Sequence, residues 1–261
     1  MKTFYKVLIS LLVGICFILA GISIGGLDQI DGNSFLSGLD FRWNARTIDD
    51  AFYQATQSIN DLDIDVHNAN IDFIETDGDH IEVKATSIYD GFKVYQSGNT
   101  LIVKQPNYWN LFKRYASASI RIYVPKDMIF ENIKVNGSAG TMKINNLKCE
   151  IADFNIGVAS VKVDNMECED MNFKLAAGNV KATNITCNNE LSIDAGMGNI
   201  NVDLVGSEKE YNYKINVGMG NVRVGSEHVA GFGSNKSHSG LTDKMINVKC
   251  GMGNVKVTME G

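Results

Sequence analysis

From Ile59 onward the chain alternates. Leu62, Ile64 and Val66 are interleaved with Asp61, Asp63, Asp65 and His67, a period of two that predicts a strand with one buried face rather than a helix. Ile71, Phe73 and Ile81, Val83 bracket Asp77-Gly78-Asp79, and Phe92, Val94 and Leu101, Val103 bracket Ser97-Gly98-Asn99; both read as hairpins. Ile120, Ile122 and Val124 form a further strand that ends at the turn Pro125-Lys126-Asp127. Residues 28–58 show no period and read as a linker, with a turn at Asp31-Gly32-Asn33-Ser34 and a short helix expected over 51–58.

Beyond residue 131 the alternation repeats. In rows of 19 residues, Val135, Phe154 and Phe173 fall in one column, Met142, Val161 and Val180 in a second, Ile144, Val163 and Ala182 in a third, and Leu147, Met166 and Ile185 in a fourth. A one-residue insertion carries the pattern on through Ile193, Ile200 and Val202, and it restarts at Val222, Val224 and at Val255, Val257. The sequence GMGN precedes three of these strands, at 196–199, 218–221 and 251–254, with weaker forms at Ser138 (SAGT) and Ala176 (AAGN). Six coils can be counted. Period-two strands with Gly corners exclude helical repeats and predict a parallel β-solenoid of about 19–22 residues per coil, each strand pairing with its equivalent about 4.8 Å along the axis. The glycines supply positive φ at the corners. Asn146, Asn165 and Asn184 share the 19-residue step, so stacked amides are expected to hydrogen-bond along the axis. The amino-terminal strands and hairpins are expected to continue the solenoid and cap its open end.

Residues 7–27 carry no charge, long enough as a helix to cross the roughly 30 Å hydrocarbon core. Lys2 and Lys6 precede this segment and Asp28, Asp31 and Asp40 follow it. The expectation is a single-pass cell-membrane protein with a cytoplasmic amino terminus and an extracytoplasmic carboxyl-terminal domain. A signal peptide cleaved near Gly21 or Ser23 is the competing reading. The division is then 1–27 tip and anchor, 28–58 linker and 59–261 exterior domain. Two Pro against 25 Gly suit a mostly β chain with many tight turns. After Leu27 there are 22 basic and 30 acidic side chains, a balance that disfavours a nucleic-acid partner. Cys149, Cys168 and Cys187 recur at the same 19-residue step and read as a buried thiol ladder, a disulfide between two neighbours being the other possibility. Cys250 aligns with Ala195 and Val217 and reads as a small core residue.

The strings LDIDVHNANIDF, DGDHIEV, IRIYVPK and GSAG, with the repeated G-x-G-[ND]-[IV] turns, resemble the putative-adhesin, LiaG-like family over about residues 59–258. The resemblance implies a membrane-anchored bacterial β-solenoid of undefined biochemical role, in a family whose named example accompanies an envelope-stress system. This chain departs from it in its Met-Gly-Asn corners and its Cys column.

Candidate chemistry is sparse. His67, His80, His228 and His238 lack metal-ligand spacing, the GMGN turns lack the Lys-Ser/Thr of a phosphate loop and the spacing of calcium nonapeptides, and no GxSxG elbow occurs. Neither a metal nor a cofactor is expected. Asp153, Asp164, Glu167, Glu169 and Asp170 read as a solvated acidic surface. One pattern invites a function: Lys143, Lys162, Lys181, then Asn201, Arg223 and Lys256, all placed outward on one face. Stacked like charges repel, so the stripe reads in one of two ways: as a solubilising surface neutralised by neighbouring acidic columns, or as the candidate binding site for an anionic envelope polymer, such as a teichoic acid, lipid headgroups or an acidic glycan. The expected function is a non-enzymatic envelope protein, an adhesin-like binding or scaffold module that also suits a membrane signalling partner. The alternative is a carbohydrate-active solenoid enzyme with a carboxylate pair over a groove.

Overall fold

The computed structural model describes residues 47–48, 51–55, 58–89, 91–105 and 117–260. The apolar segment 7–27 and the membrane helix expected there lie outside the described residues. Among the described residues, no helix is long and apolar enough to cross a membrane.

The strands in chain order are β1 (Thr47–Ile48), β2 (Ala51–Gln54), β3 (Asp61–Thr76), β4 (Glu82–Thr86), β5 (Ile88–Tyr89), β6 (Lys93–Ser97), β7 (Thr100–Lys104), β8 (Ala118–Pro125), β9 (Ile129–Val205), β10 (Asn212–Val224), β11 (Glu227–His238) and β12 (Met245–Glu260). β9 is 77 residues of nearly continuous extended chain wound into successive coils. Its alternation slips phase at fixed points: Ala152, Phe154 and Ile156 point inward, then Val161 and Val163, then Met166 and Cys168, then Met171, Phe173 and Leu175. Three short inward runs per coil give a prism with three faces and a dry core. Phe154 and Phe173 stack inside it with ring centroids 5.1 Å apart, each burial stabilising by roughly 1.5–3 kcal/mol.

The corners explain the punctuation of the repeat. Asn146, Asn165 and Asn184 adopt φ of 53°, 57° and 56°, a left-handed conformation that Asn tolerates better than other side chains with a Cβ. Their amides form the expected ladder: Asn165 Nδ2 donates to Asn146 Oδ1 (3.0 Å), Asn184 donates to Asn165, and Asn146 donates to Glu75 Oε2 (2.7 Å). At the opposite corner Gly178 and Gly198 have φ of 134° and 136°, and a Cβ at Gly198 would lie 1.9 Å from the carbonyl oxygen of Gly178 in the coil below. No residue but glycine fits such an approach.

The amino-terminal strands continue the same stack. β3 pairs in parallel with β9 from Asp61↔Asn132 to Asp72↔Lys143. Its other edge is covered by two strands in parallel, β7 along Asp61–Asp65 and β8 along Ala69–Thr76. The β6–β7 hairpin around Ser97-Gly98-Asn99 forms as expected. The second expected hairpin does not. β4 follows Asp77-Gly78-Asp79 but pairs antiparallel with β8, which lies between it and β3; Ala118, Ile120 and Ile122 of β8 fall in register with Ala69, Ile71 and Phe73 of β3. The short helix expected over 51–58 is also corrected: residues 51–54 are a strand with alternating exposure, antiparallel to β4, where edge pairing outweighs the weak helical preference of so short a segment.

The carboxyl-terminal end departs from chain order. β12 pairs in parallel with the last coil of β9 on one side and with β10 on the other, so the final strand fills a slot between its two predecessors. β11 then closes β10 antiparallel. The link that leaves the slot open is clamped by Glu208, which accepts from Ser226 N (3.0 Å), Ser226 Oγ (2.7 Å) and Tyr213 Oη (3.1 Å). Burial opposes ionisation of Glu208, yet these donors hold its carboxyl below the usual 4.5.

Candidate functional site

The outward residues of the second face form one continuous row. Register places Lys84 beside Arg121, Arg121 beside Asp72, and Asp72 beside Lys143. Side-chain bonds between residues 19 and then 20 positions apart carry the row through Lys162, Lys181 and Asn201. It continues to Lys256, Arg223 and His228 on β12, β10 and β11. The five basic residues predicted from sequence, Lys143, Lys162, Lys181, Arg223 and Lys256, are all exposed and share this row. Their order in space is a correction to chain order, since Lys256 stands between Asn201 and Arg223. Lys84, Arg121, Asp72 and His228 were missed. Ten strands at about 4.8 Å give a row roughly 43 Å long.

Electrostatics leave much of the row unneutralised. Lys84 Nζ lies 3.1 Å from Glu82 and 4.5 Å from the Tyr123 ring centroid, and Lys162 pairs with Asp164. The hydrogen bond from Lys162, seconded by one from Thr183, holds the Asp164 carboxyl below its ordinary range. Among the described residues, no carboxylate lies within 4.0 Å of Arg121, Lys143, Lys181, Arg223 or Lys256. Neighbouring cations about 5 Å apart repel by about 0.8 kcal/mol even in water. On one flank runs a second polar row: Thr141 Oγ1 donates to Asn70 Oδ1 (2.8 Å), Asn199 to Asn179 (3.1 Å), Asn254 to Asn199 (3.0 Å) and Asn221 to Asn254 (3.2 Å). The Asn of each GxGN corner thus staples adjacent strands and leaves amide groups beside the cations.

A shallow groove of about 570 Å³ lies on the first face, lined by Asp65, His67, Asn136, Ser138, Asn155, Lys174 and Asp194 among others. His67 Nδ1 is 3.1 Å from Ser138 Oγ. Asp65 and Asp194 occupy one row at four strand spacings, about 19 Å apart, well beyond the roughly 5–9.5 Å of a glycosidase pair. The acidic side chains singled out in the sequence bind the coils together: Asp153 accepts from Asn172 (2.9 Å), Asp164 from Thr183, Glu169 from Asn188 (3.1 Å) and Asp170 from Asn189 (2.7 Å), while Glu167 faces Lys148 at 3.9 Å. His80 pairs with Asp79, and His238 stacks on Tyr213 at 4.5 Å. Among the described residues no three His, Cys, Asp or Glu side chains converge on a metal position.

Cys149, Cys168 and Cys187 are free and buried, as is Cys250, which pairs with Ala195 and Val217 as its alignment implied. Cys187 Sγ lies 3.3 Å from the Glu169 carbonyl oxygen. Burial pushes the Cys149 thiol up to about 12, whereas the hydrogen bond shared with Cys168 holds the Cys187 thiol below its ordinary range; the column is a buried ladder of free thiols.

No curated protein matches the chain. Among solved structures, a putative cell adhesion protein of Clostridium sporogenes is 14% identical, with 81% of this chain and 100% of that chain covered and a TM-score of 0.43. A putative adhesin of Bacteroides fragilis is 13% identical, with 80% and 96% covered and a TM-score of 0.36. The strands, corners and register described above fall largely within residues 59–240, which match the Toastrack DUF4097 family, and the chain belongs to that family.

Proposed function

We propose that this protein is a non-enzymatic binding module of the cell envelope, held at the membrane by residues 7–27 with the solenoid outside, and that the basic row takes up a linear anionic envelope polymer. The observation that supports this reading is the row itself: cations from β4, β8, β9, β12 and β10 stand in one line although the chain visits them out of order. A long line of cations, interrupted by Asp72 and Asn201, favours an anionic partner of similar length. Amides of the flanking Asn row are placed to meet hydroxyls of such a polymer. Against the carbohydrate-active alternative stands the groove on the first face, where Asp65 and Asp194 are about 19 Å apart, about twice the widest separation of a glycosidase pair. A role beside a membrane signalling protein rests on the family resemblance and would use the same exterior face.

The test is retention of the full-length chain, in a zwitterionic detergent, on an immobilised polyol-phosphate polymer and on an acidic glycan. Wild type is expected to bind at low salt and to elute as salt rises. The K143Q/K162Q/K181Q variant is expected to lose retention with an unchanged melting temperature. Equal retention of the two proteins would overturn the proposal.

A further inference from the structure

The three GMGN corners meet in space. Met252 pairs in register with Met197 on one side and with Met219 on the other, so the inserted strand β12 makes neighbours of three thioethers that the sequence separates. Each keeps nearly half its surface exposed, at 48%, 44% and 43% for Met197, Met252 and Met219. Every one is flanked by glycines, Gly196 and Gly198, Gly251 and Gly253, Gly218 and Gly220, so no neighbouring side chain on its own strand shields the sulfur. In the earlier coils the equivalent position holds Ala177 and Val158; the ladder is confined to three adjacent strands. Burial does not account for it, because an apolar side chain gains little where half of it faces water.

We propose that Met197, Met252 and Met219 form a surface site for a soft monovalent cation, Cu(I) in the envelope, with Ag(I) as its redox-stable analogue. Thioethers are soft ligands that select such ions over Mg²⁺ or Ca²⁺. Equivalent Cα atoms on adjacent strands stand about 4.8 Å apart, within reach of two long, freely rotating Met side chains closing on one ion, and the middle residue can serve either neighbour. The glycine backbone leaves room for that rotation. Because a thioether carries no proton, occupancy is independent of pH, unlike that of a thiolate or imidazole site, whose ligands must be deprotonated.

The test is titration of the full-length chain, labelled with ¹³C at the Met methyls, with silver nitrate in chloride-free buffer at about pH 5.5 and about pH 7.5, values on either side of the ordinary imidazole pKa of about 6.5. The methyl signals of Met197, Met252 and Met219 are expected to shift together and saturate at one ion per chain, equally at both pH values. Loss of even an outer-shell partner weakens metal sites about 10- to 100-fold, so M252L, which keeps the bulk, is expected to weaken binding at least about tenfold. M128L, outside the ladder, is expected to change nothing. Silver uptake without movement of the three ladder methyls, as through the cysteines, would overturn the proposal. So would unaltered affinity in a folded M252L.

Discussion

In the coils between residues 132 and 189, each residue finds its neighbour 19 positions away, as Asn165 finds Asn146 and Asn172 finds Asp153. Beyond residue 190 the same rows are filled by a different route: Asn254 meets Asn199 across 55 residues and Asn221 meets Asn254 across 33. The pairing chemistry is alike in both regions, but the sequence distance bridged is not. A strand's pattern decides which of its residues joins which row; the connections decide where along the axis the strand sits. At the carboxyl-terminal end those connections are the Glu208 clamp on the β10–β11 turn and the bonds from Asn212 Nδ2 to the Thr242 carbonyl oxygen (2.7 Å) and from Gly240 N to Asn212 Oδ1 (2.9 Å). Because the last strand closes the longer loops, it is expected to dock late in folding.

The sharpest way to break the comparison is to end the chain after Lys244. Without β12 both the last coil of β9 and β10 lose their shared neighbour, and hydrogen exchange is expected to show full loss of protection over 212–238 while 132–189 stay protected. Persistent protection of β10 would mean that it packs without the inserted strand. Next in size is Gly198→Ala at the junction of the two regions. Its Cβ meets the Gly178 carbonyl oxygen at 1.9 Å, and chemical denaturation is expected to show a loss of about 4 kcal/mol or more. By contrast Gly98→Ala, at φ 60° with open space around it, should cost only about 1–2 kcal/mol.

Smaller effects separate the two kinds of corner. Asn165→Gly keeps the left-handed backbone and loses the ladder bonds, an expected loss of about 1 kcal/mol; Asn165→Ala loses both and is expected to cost about 2 kcal/mol. Equal losses would show that the backbone conformation carries no weight there. The smallest effect is the pH dependence of the carboxyl-terminal clamp. The folded-state value of Glu208 lies below its ordinary 4.5, so its contribution is present above that pH and is lost as pH falls through the lower folded value. Thermal melts of Glu208→Gln are expected to show a shallower loss of stability below about pH 4.5 than wild type.

What could be read in advance follows the same division. The core columns, the thiol ladder, the Asn ladder and the outward Lys143, Lys162 and Lys181 were legible because one step of 19 residues places them all. The extension of the basic row was not, because Asp72 meets Lys143 across 71 residues, no multiple of the step, and Arg121 and Lys84 join through strands outside the repeat. The β3–β4 hairpin misled for a related reason: a good turn at Asp77-Gly78-Asp79 says that the chain reverses, and says nothing of a third strand entering the gap. The GMGN repeats were visible as glycine corners, but the order β9, β12, β10 that stacks their methionines depends on connections without a periodic signal.

The central claim is that a single in-register row, rather than scattered surface lysines, receives a linear polyanion. Its most direct test is the affinity of the full-length chain for a length-graded series of one anionic oligomer at constant salt. Affinity is expected to rise with each added unit until the oligomer spans about 40 Å, the length of the row at about 4.8 Å per strand, and K162Q, in the middle, is expected to flatten the rise. An affinity that ignores oligomer length, or a length dependence that K162Q leaves untouched, would contradict it.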